Sequence, residues 1–464
     1  MRVTARRTVR RRLMGSRTIR IEDARPVRPF GSGGMRILVG FGLILALATA
    51  LLALPIASNG DGATVLEASF TSISAICVTG LVVVDTQTQW STFGEVVILG
   101  VIQLGGLGYL AGMGIVLWVL GRNLGLRDRN LMRIYYGAPT MSESLSFVRT
   151  ILIYTFVIEA LGILALFGGF VSAGVPIGRS IWWAVFHAIS AFNVAGFNVT
   201  GEDMRPFSDD PTVLLPLIVL CLAGSLGAVP IILGILRLDI RRMPLDAKVV
   251  LSTAAVVIAG SALFIGISEW ANSGTLGTVA ESDRPLLAFF QAAMWVSGFS
   301  GVETGLLNDH TKLFESVLML IGGAAGTPAG GLKLGTLAVL VIATVATLRG
   351  RDEVIVFGRR LPHNVVRQAV GITFLFAALH FVVAILLLRT TDHQFIDVLF
   401  EASSALGTVG WSTGITTNLG TTATFIVMVT MLIGRFLPLL LVLQIARPRK
   451  QPVGNQLRDN VRLG

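Results

Sequence analysis

A short motif of phenylalanine, serine, alanine and glycine recurs along this chain. The pattern F-x3-S-A-x4-G runs from Phe70 to Gly80, Phe186 to Gly196 and Phe400 to Gly410, with a shorter degenerate copy from Phe289 to Gly298. Glycine permits backbone angles that turn carbonyls toward one point, and rings of carbonyl oxygens can replace the hydration shell of a cation. The spacing, close to a quarter of the chain, predicts a carbonyl-lined cation site. The alternative is packing of small residues between helices.

A second glycine cluster interrupts the apolar segment from residue 313 to 348. From Gly322 to Lys333 the sequence reads GGAAGTPAGGLK. Glycine and proline at this density do not sustain a helix, so we expect a flexible loop at membrane depth; a helix kink is the simpler alternative. A phosphate-binding loop is excluded because the order G-x4-G-K-[ST] is absent.

Three charged residues, Glu159, Lys333 and Arg435, stand within apolar runs. A charge at bilayer depth is costly unless it faces a cavity or a partner, so Arg435 is a functional candidate. Lys333 can snorkel to the inner surface, and Glu159 fits a packing or interfacial role. His187 and Glu401, beside motif phenylalanines, are expected to hydrogen-bond nearby backbone rather than bind ions.

Motifs for enzymatic chemistry are missing from the apolar runs. We find no H-E-x-x-H, no G-x-S-x-G and no aspartate-rich metal motif. Cys77 and Cys221 lie far apart, without the spacing of a disulfide framework or a metal site. The sequence therefore predicts a protein that is not an enzyme and holds no cofactor in this chain.

The composition places these residues in a polytopic helical membrane protein. Of the 464 residues, 53% are hydrophobic and 14% are charged, and the mean hydropathy is +0.75. Several apolar runs reach or approach the ~20 residues that cross a bilayer, whereas the stretches of about 10 to 14 residues ending at the motif glycines suit re-entrant helices. Non-helical backbone at that depth survives only where it is buried or lines a cavity.

Charge is distributed unevenly between alternate loops. Residues 1–36, 121–149, 237–248, 349–367 and 447–464 hold 30 of the 37 Lys and Arg residues but nine of the 27 acids. Basic segments stay in the cytoplasm during insertion, so both termini are expected on the cytoplasmic side of the cell membrane. The net charge of +10 therefore belongs to the inner face and indicates no nucleic-acid partner. The acidic outer face either attracts cations or simply keeps loops soluble.

The repeated motif indicates four tandem copies of one structural unit. Each unit is expected to contain a long helix, a short helix ending at the glycine and a second long helix. We expect an all-α fold of about eight transmembrane and four re-entrant helices, with pseudo-fourfold symmetry around one pore. The expected divisions are a basic cytoplasmic tail at 1–35, pore repeats at 36–120, 121–236, 237–348 and 349–446, an intramembrane gating loop at 322–333 and a cytoplasmic tail at 447–464.

At these motifs the chain resembles the Trk/Ktr/HKT superfamily of potassium transporters, over about residues 36 to 446. The resemblance rests on VTGLVVVDT from Val78, QLGGLG from Gln103, SAFN and AGF between Ser190 and Phe197, and GTVGWSTG from Gly407. The third segment, WVSGF from Trp295, departs from the usual RTAGF, and Gly301 rivals Gly298 for the filter position. The length is slightly closer to the bacterial Ktr-type membrane subunit than to the Trk-type subunit.

The resemblance implies potassium uptake through a channel-like selectivity filter, with K⁺ as the transported ion and the only metal. The implied filter residues are Val78, Thr79, Gly80, Asn193, Val194, Ala195, Gly196, Val296, Ser297, Gly298, Thr408, Val409 and Gly410. The implied gating residues are Gly322, Gly323, Gly326, Gly330, Gly331 and Lys333, with Arg435 as an electrostatic barrier beneath the filter.

The resemblance also implies a homodimer in the lipid bilayer, bound on its cytoplasmic side to a ring of nucleotide-binding regulatory subunits of the RCK type. Two alternatives stay open: K⁺ symport coupled to H⁺ or Na⁺, and a less selective K⁺/Na⁺ pathway. Coupled symporters usually carry ionisable residues at the membrane midplane, and Glu159 is the only acidic candidate that we identify there.

Overall fold

The computed structural model describes residues 32–60, 62–107, 144–227, 243–351 and 353–445. Most of the predicted N-terminal tail, all of the predicted C-terminal tail and parts of the predicted repeats, at 1–31, 108–143, 228–242 and 446–464, lie outside the described residues. In chain order the helices are α1 (Ser32–Leu52), α2 (Val65–Ile76), α3 (Thr86–Gln89), α4 (Thr92–Gly106), α5 (Ser144–Ser172), α6 (Ile177–Phe192), α7 (Pro211–Leu226), α8 (Leu245–Glu269), α9 (Arg284–Ala293), α10 (Asp309–Met319), α11 (Leu334–Leu348), α12 (His363–Leu388), α13 (Phe395–Gly407) and α14 (Thr421–Ile445).

Several of the described connections contain short elements of their own. An antiparallel hairpin of β1 (Ile355–Val356) and β2 (Arg359–Arg360) joins α11 to α12. Single 3-10 turns occupy Pro55–Ala57, Arg205–Phe207, Leu276–Thr278, Thr304–Leu306 and Thr416–Asn418.

Four helices of the described part, within α5, α8, α12 and α14, are long and apolar enough to cross a membrane. Their outward side chains are large and apolar; Leu164, Ile267 and Phe374 are 69%, 73% and 75% exposed. Apolar surface of this kind on long helices is suited to lipid rather than to water. The predicted all-α polytopic membrane fold is confirmed.

The short helices α2, α6, α9 and α13 have 12, 16, 10 and 13 residues, too few to span a bilayer. The first begins with a capping box, in which Thr64 and Glu67 satisfy each other's backbone N–H groups. Each of the four ends just before a motif glycine, within a largely buried segment.

The packing of these short helices closes a ring of four units. Each short helix contacts the helix that precedes it in its own unit and also the helix that follows the short helix in the neighbouring unit of the ring. The second type of contact joins α2 to α14, α6 to α4, α9 to α7, and α13 to α10. Because the last unit contacts the first, the four units surround a common axis.

Candidate functional site

The four motif glycines meet at this axis, and each lies against the backbone of another unit. A Cβ added to Gly80 would lie 2.3 Å from Ala195 O, and one added to Gly196 would lie 2.3 Å from Gly298 N. A Cβ on Gly298 would lie 3.1 Å from Gly410 Cα. A Cβ on Gly410 would lie 2.1 Å from Thr79 O. The contacts run in order around the ring and return to the first unit. The four segments therefore approach one another through their backbones, which leave little or no room for a side chain at the glycines.

Gly298, and not Gly301, is the third member of this ring. A Cβ on Gly301 would instead meet the side chains of Leu287 and Phe290, two fully buried residues of α9. In the degenerate copy Phe289 is 38% exposed, whereas its neighbour Phe290 is fully buried like the other motif phenylalanines. A shift of one residue turns a side chain about 100° around a helix, which explains the difference.

Three ring segments share an unusual backbone. Val78, Val194 and Thr408, each two residues before the glycine, have φ of 50°, 61° and 51°. This left-handed conformation strains β-branched residues, at about 1–3 kcal/mol each, and such strain clusters at functional sites. It turns the chain out of the short helix and toward the axis.

The motif serine explains how that strained turn is held. The N–H of the residue before the glycine donates to the carbonyl of Ser74, Ser190 or Ser404, at 2.8, 2.8 and 2.9 Å. The hydroxyls of Ser74 and Ser404 also accept the N–H of Gly80 and Gly410, at 3.1 and 3.0 Å. The hydroxyl of Ser190 instead donates to Phe197 O at 2.7 Å.

The third segment is built differently. Ala292 stands six residues before Gly298, where the other units have serine. Neither Val296 nor Gly298 has a positive φ, and the N–H of Ser297 donates to Met294 O at 2.8 Å. This segment thus reaches the ring without a serine tie to its own helix.

Several residues predicted as the filter carry polar atoms that are buried without a hydrogen-bond partner in the described structure. They are the hydroxyls of Thr79, Ser297 and Thr408 and the amide oxygen of Asn193. A buried polar atom is costly unless an ion, a water or a protein group satisfies it. The three hydroxyls belong to three different ring segments, so they add oxygen atoms to the oxygen-rich backbone there.

The side-chain amide of Asn193, predicted as part of the filter, forms hydrogen bonds to neighbouring helices. Its Nδ2 donates to Gln103 Oε1 at 2.9 Å, Glu159 Oε1 at 3.1 Å and Ile189 O at 2.9 Å, and its Oδ1 lies against Gly106. The amide therefore ties the second ring segment to α4 and α5. Glu159 is 4% exposed and belongs to this network.

His187 and Glu401 support the ring segments from behind. His187 Nδ1 lies 2.7 Å from Trp183 O, and its Nε2 accepts the N–H of Val199 at 3.4 Å. Glu401 accepts the hydroxyls of Ser412 and Thr416, the latter at 2.7 Å. Both side chains are fully buried and hold the chain just after a ring glycine.

The glycine-rich segment after α10 forms a compact loop. Its two ends pair as a short parallel bridge between Ile321 and Leu332, in which Gly322 N donates to Leu332 O and Leu332 N to Leu320 O, both at 2.8 Å. We call this paired base of the loop, residues 320–322 and 330–332, the neck. A Cβ on Gly322 would lie 1.6 Å from Gly330 O, so the neck requires glycine at this position. Gly326 and Gly331 have positive φ, at 79° and 65°.

This loop touches the ring and the second unit. A Cβ on Gly330 would lie 2.1 Å from Thr408 Oγ1 and 2.6 Å from Gly407 O, at the base of the fourth ring segment. One on Gly323 would lie 2.4 Å from Ser225 O at the end of α7, and Ala324 N donates to the same carbonyl at 2.8 Å. Of the five predicted loop glycines, Gly330 therefore lies against the fourth ring segment and Gly323 against the end of α7.

Arg435 and Lys333 bind carbonyls of this region. The guanidinium of Arg435 donates to Pro328 O in the loop and to Gly105 O in α4, the latter at 2.5 Å. Lys333 Nζ donates to Ala329 O, so it turns into the loop rather than snorkelling to a surface.

A cavity of about 520 Å³ adjoins the loop. Its walls include Ala325 and Lys333 of the loop, Asp246 of α8, Val356 of the hairpin and Phe376 of α12. The loop thus has unfilled space on one side and the ring segment on the other.

Glu315 and Asp203 are two acids with unusual surroundings that the sequence did not indicate. Glu315, in α10, is fully buried; its Oε1 accepts Gln291 Nε2 at 3.4 Å, and its Oε2 has no partner among the described residues. Asp203, in the connection after the second ring segment, accepts the N–H of Ser300 at 2.8 Å. The position of Glu315 in the apolar segment 313–348 was a signal that could have revealed it.

Asp203 predicts a pH-dependent stability. Burial raises the pKa of its carboxyl to about 8, although backbone hydrogen bonds and Arg205 act against the shift. The folded protein then binds a proton that the unfolded chain releases near its ordinary pKa of 3.8, so folding stability falls as the pH rises from about 4 to about 8.

We expect Asp203→Asn to remove this dependence, because asparagine keeps the acceptor for Ser300. Thermal unfolding midpoints of the purified protein, measured from pH 5 to pH 9, should fall more steeply for the wild type than for the variant. Parallel curves would contradict the assignment.

Among the described residues, no group of three or more His, Cys, Asp and Glu side chains is arranged to hold a metal ion. Cys77 and Cys221 are both free and buried. In the part of the chain that the structure describes, the unpartnered oxygen atoms of the ring segments include the hydroxyls of Thr79, Ser297 and Thr408.

Comparison with known proteins agrees with this geometry. A family model described as TrkH, cation transport protein, matches residues 47–453. The chain is 32% identical over 416 residues to the Ktr system potassium uptake protein B of Bacillus subtilis, covering 89% of this chain and 93% of that protein. It is 33% identical over 433 residues to the protein of the same name from Vibrio alginolyticus, covering 92% and 94%.

Two further comparisons extend the picture. The potassium/sodium uptake protein NtpJ of Enterococcus hirae is 30% identical over 410 residues, covering 86% of this chain and 89% of that protein. The fold is similar to the crystal structure of the potassium transporter TrkH from Vibrio parahaemolyticus, with a TM-score of 0.66, 18% identity, and coverage of 88% of this chain and 85% of that chain.

Proposed function

Because the chain belongs to the TrkH family of cation transport proteins, we propose that it takes up potassium ions across the cell membrane through the glycine ring. Family membership also makes it a transporter rather than an enzyme. The observation that carries the proposal is the closed ring of Gly80, Gly196, Gly298 and Gly410 on a common axis. The names of the relatives support potassium as the ion.

The ring is proposed to act as the selectivity filter. A partly dehydrated K⁺ exchanges water for the carbonyl oxygens of the ring segments, aided by the hydroxyls of Thr79, Ser297 and Thr408 that lack protein partners in the described structure. Backbone oxygens held by strained turns are preorganised, so little reorganisation is needed when the ion enters. K⁺ is the cargo, and the proposal requires no resident cofactor.

The glycine loop is proposed to act as the gate. It touches Gly407 and Thr408 at the base of the filter, and the adjoining cavity gives it space to move aside. Arg435 holds the loop through Pro328 and places a positive charge near the passage. Movement of the loop would therefore change both the width of the passage and its electrostatic barrier.

Regulation is proposed to come from outside this chain. The charge distribution supports cytoplasmic termini and a basic inner face. We propose a homodimer whose inner face binds a ring of nucleotide-binding subunits of the RCK type, and we expect no nucleotide to bind the chain alone. Co-purification with such a subunit, tested with and without nucleotide, measures this association.

A less selective K⁺/Na⁺ pathway is the second candidate. The third ring segment lacks the serine tie and the left-handed turn of the others. One relative is named a potassium/sodium uptake protein. Reversal potentials measured with K⁺ on one side and Na⁺ on the other separate the two candidates, and a reversal potential that follows a pH gradient would instead support symport with H⁺.

The transport proposal is tested by ⁸⁶Rb⁺ uptake into proteoliposomes that contain the purified chain. We expect uptake above that of protein-free vesicles, competition by external K⁺, and weaker competition by Na⁺. Uptake equal to that of empty vesicles, in the presence and absence of the regulatory subunit, would contradict the proposal.

A further inference from the structure

Trp295 stands at the junction between the third ring segment and the glycine loop. Its side chain is fully buried. The indole Nε1–H donates a hydrogen bond of 2.9 Å to Ile321 O, 26 residues further along the chain. A buried tryptophan N–H normally needs such a partner, so this bond fixes the ring of Trp295 relative to Ile321.

Ile321 belongs to the neck of the loop. It forms the parallel bridge with Leu332, and the flanking Gly322 N–H donates to Leu332 O. A displacement of the 320–322 side of the neck moves the Ile321 carbonyl. The Trp295 hydrogen bond then either breaks or carries the displacement to Trp295.

Trp295 lies three residues before Gly298, in the one ring segment without a motif serine. The other three segments are tied to serine in their own short helix, through the serine carbonyl. In the third segment, Ser297 N donates to Met294 O at the end of its own short helix, and Trp295 adds a side-chain hydrogen bond to the loop. The fourth segment contacts the loop at Gly330 without such a hydrogen bond, so Trp295 is the side chain through which a ring segment and the neck of the loop are bonded in the described structure.

We propose that Trp295 couples the state of the glycine loop to the geometry of the third filter segment, so that ion selectivity and gating change together. Trp295 is a positioning residue, because it acts through Ile321 on one side and through Gly298 on the other. The inference rests on the proposed function of the ring and the loop.

The chain offers a matched control in Trp411. Its side chain is also buried, and its Nε1–H donates to Phe299 O at 2.8 Å. This bond joins the fourth ring segment to the third without touching the loop. Trp295→Phe and Trp411→Phe thus remove the same kind of hydrogen bond on the two sides of the third segment.

The first test measures the loop without using ion flux. Thr327 lies in the loop and is 5% exposed, so Thr327→Cys provides a buried thiol whose reaction with a methanethiosulfonate reagent reports loop opening. The native Cys77 and Cys221 are buried, and the parent protein measures their background. We expect Trp295→Phe to raise the labelling rate about fivefold, the scale of one lost buried hydrogen bond, and Trp411→Phe to leave it unchanged. Equal rates in all three proteins would overturn the proposal.

The second test measures selectivity as competition of Na⁺ with ⁸⁶Rb⁺ uptake. Shortening the loop in a protein that keeps Trp295 should weaken the discrimination against Na⁺, and adding Trp295→Phe should then have little further effect. Unchanged selectivity after shortening, or strictly additive effects, would overturn the coupling. The shortened protein keeps Trp295, so its selectivity can be measured even where the Trp295→Phe variant does not fold. If no protein shows uptake, the transport proposal fails, whereas the labelling test still decides whether Trp295 holds the loop.

Discussion

Replacing Gly410 with alanine is expected to reduce ⁸⁶Rb⁺ uptake to about a tenth of the wild-type rate or less. The new Cβ would lie 2.1 Å from Thr79 O and 3.0 Å from Gly298 Cα, and the residue has a φ of 108°. The neighbours are backbone atoms, so no side chain can rotate away. Overpacking of this kind costs about 1–3 kcal/mol or more, and about 1.4 kcal/mol corresponds to a factor of ten.

The four ring glycines should respond in a graded way. Alanine at Gly80 or Gly196 would lie 2.3 Å from backbone and should be as harmful as at Gly410. Alanine at Gly298 meets its nearest neighbour at 3.1 Å and needs no positive φ, so it should be the mildest of the four. Gly414 is the control, because its φ is 93° but it has no neighbour within 4 Å. Equal losses at Gly414 and Gly410 would show that backbone strain, and not the ring contact, controls uptake.

Deleting residues 325–328 from the loop is expected to raise the ⁸⁶Rb⁺ uptake of the chain alone by about tenfold. The deletion removes Pro328, whose carbonyl binds Arg435, while it keeps the neck glycines. A loop that no longer bridges Arg435 loses charge-assisted hydrogen bonding worth about 1.5–3 kcal/mol, so its closed position should be populated less.

Thr327→Ala is the control for this deletion. It keeps the length of the loop and removes only the hydroxyl, which donates to Ala324 O at 2.7 Å. We expect uptake within about fivefold of wild type, because one neutral hydrogen bond contributes about 1 kcal/mol or less. Lower uptake after the deletion, in protein that elutes as a single species, would contradict the gate.

The sequence predicted the all-α fold and the glycines that meet at the axis because both depend on local patterns. Apolar length identifies membrane helices, and a repeated motif identifies equivalent positions. The third segment was less clear from the sequence. Its motif is eroded, so nothing local distinguishes Phe289 from Phe290, and burial decides between them only after the helices pack.

Other parts of the site could not be predicted because they depend on long-range contacts. Trp295 and Ile321 form their hydrogen bond only when the loop folds back beneath the ring. The positive φ of Val78, Val194 and Thr408 runs against the preference of β-branched residues, so local propensity predicts the opposite. Strained positions of this kind are expected where function overrides local preference.

The most direct test is to locate a heavy potassium analogue in the protein. Crystals of the wild-type protein grown with Tl⁺ or Rb⁺ should show an anomalous difference peak on the axis, between the backbone oxygens of the segments that contain Gly80, Gly196, Gly298 and Gly410. The peak should be lost in the Gly410→Ala variant and retained in Gly414→Ala. An axis without a peak in wild-type crystals that bind the ion elsewhere would contradict the account.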